Sequence, residues 1–537
     1  MIRNIKSLSP GAASHRLFQF AWLSIPLVSL LTAQPDDVWQ QLRGPAFWGL
    51  AALIVCNMAA LAIPLFFIES RRARRLFFIP AILLSILVLG YTLHNGAPPG
   101  PAVFVAINHT TMAELTEVLP GLASAYAIEL MLAAFLIAWI WLLPHRLEKT
   151  SRMTRLFVIN LAIWITNLLI FAWMFAPQHF SRWVPPNAEN AVFPGSLIAS
   201  AYSATKTDVH EHLSAGQRAF RFNSIADDRQ QALRIVLVIG ESSTGSHWQL
   251  SGYGRQTNPQ LSGISKGQLV YFPDVLSGAT ATRGAVPMIL TRATPMDFSP
   301  ATRERSIVSA FSETGYVTGW LSLQDRFPYS EEASHEIYIN PDWAAGERYD
   351  EDLLPLVNTQ IDKHKRLFLV VHSIGSHVQY PLRVPRESRH FSNRSNADLL
   401  DFYDDTIRYT DRFLSRIIDR LAVQDDIPSL LIYISDHGQD LNKVRTGELS
   451  QGAAKFPTEN VHVPLLVWLS PAYLAKWPEV SAQLEKTREC PHSQIEVFHT
   501  LLRLGHIRLD GNAPSLFDED CARTRPVMAG SRVKYFP

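Results

Sequence analysis

The sequence predicts two parts of different class. An α-helical membrane domain of five transmembrane helices comes first, and an α/β domain with a mostly parallel central sheet follows. Three observations predict this. Five apolar segments, each near the roughly 20 residues a spanning helix needs, crowd the first 176 of the 537 positions. Basic residues cluster in alternate connections between those segments. Beyond residue 230, short apolar runs alternate with helix-compatible stretches, as in doubly wound sheets. Hydrophobic residues make up 47% of the chain, and their excess lies almost wholly in the first part. A net charge of +1 gives no electrostatic footprint for nucleic acid.

The five apolar segments are residues 17–33, 44–68, 76–93, 122–143 and 156–175. The first is short and holds Pro26, so a signal peptide is its alternative. No small-residue cleavage site follows it, and four further spans favour an anchor. Arg3, Lys6 and Arg16 precede the first span, Arg71, Arg72, Arg74 and Arg75 follow the second, and Arg146, Lys149, Arg152 and Arg155 follow the fourth. The other two connections contain only Arg43. Basic connections stay cytoplasmic, which places the N-terminus inside and everything after the fifth span outside. Glu129 falls within the fourth span, either as a functional carboxylate or as one that reaches the headgroup zone. The outer loop 94–121, with Asn108-His109-Thr110-Thr111, is placed to meet a lipid headgroup.

Residues 177–230, which include Pro185-Pro186, read as a connector along the membrane surface, and 231–537 as the globular domain. Strands are expected at 234–239, 315–321, 366–371, 429–434 and 464–469, with a long helix over 398–421. Of the three cysteines, Cys56 lies in an apolar run. Cys490 and Cys521 lie in the outer part, where an oxidising compartment would let them pair.

Chemistry-bearing residues gather at the ends of those strands, where open α/β sheets bind ligands. The fourth strand runs into Asp436-His437-Gly438, a carboxylate and an imidazole suited to a zinc-class ion. The first ends in Gly240-Glu241-Ser242, a second carboxylate. Residues 277–287 supply small residues and hydroxyls ahead of a helix, and a metal would activate a threonine there as a nucleophile. Residue chemistry alone leaves Thr280 and Thr282 both open. The third strand leads into His372 and His377, and His462 precedes the fifth. Taken singly, each has a plain structural reading; together they supply ligands, a nucleophile and phosphate contacts, a set fitted to phosphoryl or sulfuryl transfer.

These motifs, in this order, resemble the lipid-dependent phosphoethanolamine transferases of Gram-negative bacteria, within the sulfatase/alkaline-phosphatase superfamily. The resemblance spans nearly the whole chain. Its carriers include Gly240-Glu241-Ser242, residues 250–259 (LSGYGRQTNP), Thr282 with Val286-Pro287, and Gly375-Ser376-His377. Tyr403-Asp404-Asp405-Thr406-Ile407, Tyr409-Thr410-Asp411, Asp436-His437-Gly438, His462-Val463-Pro464 and Phe498-His499-Thr500-Leu501-Leu502 complete them. The resemblance implies a sulfatase/alkaline-phosphatase-like domain in the periplasm, anchored in the inner membrane. It implies one tightly bound zinc on Glu241, Asp436, His437 and Thr282, and leaves a second ion open. Thr282 takes the nucleophile's place because it stands four residues before the Val of Val-Pro. His377 and His462 match the histidines that hold the substrate phosphate. The implied donor is phosphatidylethanolamine and the implied acceptor a glycan, lipid A or lipopolysaccharide.

The chain departs from the lipid A-modifying members at several positions. Gly278 and Met288 stand where cysteines flank the nucleophile segment, and at most one disulfide is possible. Gln439 replaces the Glu that usually follows Asp-His-Gly, and Arg283 adds a cation directed at either phosphate or solvent. The acceptor therefore stays open among lipid A, a core sugar, a periplasmic glucan and another glycan. Phosphoglycerol transfer, or phosphodiesterase or sulfatase action, is the alternative on the same fold. The Pro-Ser-Arg pattern of a type I sulfatase nucleophile is absent. A membrane-anchored binding or scaffold protein is the non-enzymatic alternative.

Overall fold

The computed structural model describes residues 79–88, 90–91, 103–104, 127–142 and, from 212 to 537, all but 340–348, 424–425, 442–457, 510–512 and 530–531. Two compact units are present, with their main boundary between Lys206 and Thr207.

In the first unit, α1 (Ala127–Leu142) is a 16-residue apolar helix with Glu129 in its first turn. Ile128, Met131 and Phe135 are exposed along it. Among the described residues no helix is long and apolar enough to cross a membrane. The expected spans at 17–33, 44–68 and 156–175 lie outside the described residues, as do most of the 94–121 loop and residues 177–211 of the connector. The expected spans at 76–93 and 122–143 are described in part, and those parts are helical.

The second unit is built on a seven-stranded sheet. Its strands are β1 (Leu233–Gly240), β2 (Leu269–Phe272), β3 (Val317–Ser322), β4 (His335–Tyr338), β5 (Arg366–His372), β6 (Ser429–Ser435) and β7 (Leu465–Leu469). The order across the sheet is β2-β7-β6-β1-β5-β3-β4. The run β6-β1-β5-β3-β4 is parallel, whereas β7 lies antiparallel to β6 and β2 antiparallel to β7. The five strands expected from the sequence are all present. The edge strands β2 and β4 were not expected: each has only four residues, and β4 begins with His335-Glu336. Pro464 has no N–H to give the ladder, and β7 starts one residue later.

Apolar residues on both faces of β1 explain the layers. Ile235, Leu237 and Ile239 face one core, shared with α2 (Thr282–Leu290), α3 (Ile307–Glu313) and α6 (Val497–Leu504). Val236 and Val238 face the other, shared with α4 (Leu354–Lys363) and α5 (Leu399–Ala422). α5 is capped by Asp398, whose side chain accepts from Asp401 N. Its buried Tyr403, Ile407, Leu414, Ile418 and Leu421 recur at helical spacing. Cys490 and Cys521 form a disulfide, Cα–Cα 4.8 Å. Residues 212–226 pack onto this unit: Gln217 Nε2 donates to Ala301 O and Glu304 O, and Glu313 accepts from Phe222 N and Ser224 N.

Candidate active site and metal centre

The parallel register sets Gly240 of β1 opposite Ser435 of β6. The next residue on each strand is an acid, so Glu241 and Asp436 meet at the carboxyl edge of the sheet. His437 follows, and the ligand atoms of all three lie within 4.8 Å of one another. All three are buried. Thr282, the first residue of α2, is half-buried beside them. Its Oγ1 lies 3.1 Å from Glu241 Oε2, to which it donates, and 3.3 Å from His437 Nε2. Thr280 is buried, and its backbone N–H goes to Met528 O. The strand-end residues and Thr282 are therefore together, and Thr282 is the threonine that faces the two acids and the imidazole.

The cluster's polar atoms are closely controlled. Glu241 Oε1 accepts from Ser242 Oγ at 2.5 Å, and Oε2 also accepts from Gln324 Nε2 at 3.1 Å. Asp436 Oδ1 accepts from Ser242 N and His437 N, while Oδ2 has no hydrogen-bond partner. His437 Nδ1 lies 2.7 Å from Gly438 O, and since a carbonyl only accepts, that nitrogen carries the proton. Nε2 is left facing Glu241 Oε1 at 3.4 Å and Asp436 Oδ2 at 3.6 Å. Burial opposes the charge on Glu241, but the hydrogen bond and charge of His437 hold its carboxyl well below the usual range. Burial and the Glu241 charge push Asp436 up to about 7. Burial lowers His437, yet the two carboxylates raise it further, for a net rise to about 9. Two buried carboxylates with one orphaned oxygen and an outward Nε2 fit a divalent cation of the zinc class.

Three loops enclose the cluster. Ser242 adopts a positive φ of 55°, a strained turn for a non-glycine residue. Gly375, φ 47°, brings the 373–377 loop onto the Glu241 backbone; a Cβ there would sit 2.9 Å from Glu241 N and O. Gly438 passes so close to Glu459 that no side chain fits. The 373–377 loop is tied down from behind by the buried Asp350, which accepts from Ile374 N and Gly375 N. It carries His377, held low by burial, at about 4, and electrostatically coupled to Glu241 and His437. His462 is partly buried, which lowers its pKa, and its Nε2 lies 4.0 Å from Asp274 Oδ1. Gly245 leaves room for its ring. Arg283 is held on the neighbouring loop: Nη1 donates to Arg326 O, Nη2 is 3.8 Å from Asp325, and the guanidinium lies over Phe327. Gln439 is buried, and its backbone is bonded to Thr244 Oγ1.

The tyrosine and aspartate motif of α5 has a structural part. Tyr403 Oη accepts from Thr244 N and donates to Ser242 O. Asp404 pairs with His247, Tyr253 and Arg255, and Asp411 accepts from Gln260 N and Leu261 N. Thr406 Oγ1 donates to Ser376 Oγ. The helix is thus a rack that holds both the Glu241 segment and the His377 loop. Sequence reading missed Gln324, Asp350 and Asp274. Gln324 stands two residues beyond β3, so extending the strand-end search to that strand finds it.

Comparison with known proteins places these features. Phosphoethanolamine transferase EptA of Salmonella typhimurium is 28% identical over 428 residues, 74% of this chain and 76% of that protein. Kdo(2)-lipid A phosphoethanolamine 7''-transferase of the same organism is 24% identical over 432 residues, 75% and 71% of the two chains. Among solved structures, the integral membrane lipooligosaccharide phosphoethanolamine transferase A of Neisseria meningitidis superposes with a TM-score of 0.66 at 20% identity, over 92% of this chain and 95% of that one. The C-terminal periplasmic domain of Escherichia coli EptC, solved as a complex with Zn, gives 0.52 at 22% identity, over 57% and 92%. The two structural likenesses are likenesses of fold. The sulfatase family model matches residues 234–507, just over half of the chain, and the chain belongs to the sulfatase family.

Proposed function

We propose that this protein is a membrane-bound, zinc-dependent transferase that moves phosphoethanolamine from phosphatidylethanolamine to a cell-envelope glycan or lipid A/lipopolysaccharide acceptor. The observation that carries the reading is the approach of the Thr282 hydroxyl to Glu241 and His437 at 3.1 and 3.3 Å, beside Asp436. The names of the relatives support the group transferred. Glu241, Asp436, His437 and Thr282 are the residues that would hold zinc. Zinc bound there would favour the threonine alkoxide and offset phosphoryl charge.

In the first half-reaction Thr282 gives up its hydroxyl proton and Oγ1 attacks the donor phosphorus. The bond from phosphorus to the diacylglycerol oxygen breaks, and that oxygen leaves as an alcohol after taking up a proton. Phosphoethanolamine is then esterified to Thr282. In the second, an acceptor hydroxyl gives up its proton and attacks the same phosphorus, the bond to Thr282 Oγ1 breaks, and Oγ1 takes up a proton. His377 and His462 steady the equatorial oxygens and move these protons, and burial supports neutral imidazoles as the resting forms. The reading also gives the chain five transmembrane helices with a cytoplasmic N-terminus and a periplasmic catalytic unit. The charge pattern and the Cys490–Cys521 disulfide support that orientation.

The test is peptide mass spectrometry of the full chain, purified from membranes whose phosphatidylethanolamine carries labelled ethanolamine. A labelled phosphoethanolamine adduct on Thr282 is expected, absent in Thr282→Ala and retained in Thr280→Ala. A phosphoglycerol adduct would pass the case to phosphoglycerol transfer, and an adduct lost only in Thr280→Ala would move the nucleophile.

A further inference from the structure

Thr282 belongs to a loop and helix whose place relative to β6 decides the geometry of attack, and neither segment holds a cysteine that could cross-link them. The short strand His492–Ser493 runs parallel to Val275–Leu276, with Ser493 opposite Leu276. That register brings the next residue, Gln494, level with Ser277 and Gly278 at the start of the nucleophile loop. Gln494 is fully buried. Its Oε1 accepts from Gly278 N at 2.9 Å. Its Nε2 donates to Ser435 O at 3.0 Å and to Asp436 O at 2.8 Å. One amide group therefore grips the nucleophile loop with its acceptor and the metal-ligand turn with its donors. Only a carboxamide of this length satisfies both sides at once, because a carboxylate lacks the donors and an ammonium lacks the acceptor. Its backbone is fixed in turn: Ser493 N donates to Glu496 Oε1 at 3.1 Å, and His492 Nδ1 meets Glu496 Oε2 at 2.7 Å.

We infer that Gln494 is a positioning residue for phosphoryl transfer, setting the distance between the Thr282 hydroxyl and the Asp436–His437 turn. It touches no substrate and acts through backbone atoms. The inference rests on the reading of Thr282 as nucleophile. A shift on the order of 1 Å in such an alignment lowers a rate about 100-fold without altering what the site binds.

The experiment uses the full chain in detergent and compares wild type with Gln494→Met, which keeps the shape and removes donors and acceptor. Three quantities are measured: zinc content, amide hydrogen exchange, and kcat and KM for a phosphodiester donor. The expected result is exchange at least about tenfold faster in residues 277–283, with exchange in β1 and zinc content unchanged. Alongside it, kcat should fall by about 10- to 100-fold, with KM within about twofold. Unchanged loop exchange and kcat in a folded variant would overturn the inference. So would faster exchange throughout β1, which would make Gln494 an ordinary core residue. If Gln494→Met does not fold, Gln494→Glu, which keeps the Gly278 acceptor and loses both donors, is read by the same kcat against zinc content. The exchange readout needs no donor lipid. A missing phosphoethanolamine adduct on wild-type Thr282 would therefore sink the donor assignment and leave the clamp to be judged on exchange.

Discussion

At the scale of single residues, the metal centre depends on groups that are not themselves ligands. Gln324 Nε2 donates to Glu241 Oε2 and, from the same nitrogen, to Ser373 O at 2.9 Å. It therefore fixes the orientation of a carboxylate that the hydroxyls of Ser242 and Thr282 also address. Partners of this kind typically contribute 10- to 100-fold to metal affinity. Gln324→Ala should weaken zinc binding by about that factor, measured by chelator competition on the full chain, with the fold retained. Undiminished affinity would show that Ser242 and Thr282 suffice to hold Glu241. His437→Ala should lose the ion outright, and a zinc content equal to wild type would remove it from the ligand set. The acids and imidazoles of the cluster were legible in the sequence because each closes an apolar strand and carries charge or a metal-binding nitrogen. Gln324 and Gln494 were not. An amide gives no chemical signal by itself, and its partners lie far away in sequence.

At the scale of elements, the strand-end loops are held by buried side chains, and Asp350 is a clear case. It is 2% exposed and accepts two backbone N–H groups of the 373–377 loop. Burial nevertheless raises its pKa to about 6. An unfolded Asp titrates near 3.9, so the folded state binds the proton more tightly. Protonation then favours folding: this contribution is full below about pH 4 and is lost as pH rises to and past about 6. At pH 7.5 the penalty is on the order of 3 kcal/mol. Asp350→Asn keeps an acceptor oxygen for the loop and removes the titration. The variant should gain thermal stability relative to wild type as the buffer moves from pH 5 to pH 7.5. A constant difference across that range would mean that Arg383 and the loop amides fully offset the burial of the charge. The sequence revealed the five long strands because each is a run of buried apolar residues. It concealed β2 and β4, whose pairing is set by the neighbouring strands rather than by their own four residues. It also hid the purpose of the α5 motif: Tyr403 and Asp411 bracket backbone groups, and Asp404 holds the side chains of His247, Tyr253 and Arg255.

At the scale of the whole molecule, two independent features bear on which side of a membrane the catalytic unit occupies. Basic residues alternate between the apolar segments, which puts the second unit on the outer side if all five segments span. The Cys490–Cys521 disulfide closes a separation of 31 residues and persists only in an oxidising compartment. Thiol labelling separates these arguments from one another. Cys490 is buried and Cys521 exposed, so after mild reduction Cys521 is the accessible thiol of the pair. In intact spheroplasts a membrane-impermeant maleimide should label Cys521 only after reduction. Labelling without reduction would mean that the cysteines are free and that the disulfide carries no information about compartment, leaving orientation to the charge pattern. Labelling only after lysis would reverse the orientation, and a count of five spans with a cytoplasmic N-terminus would then have to give way to an even number.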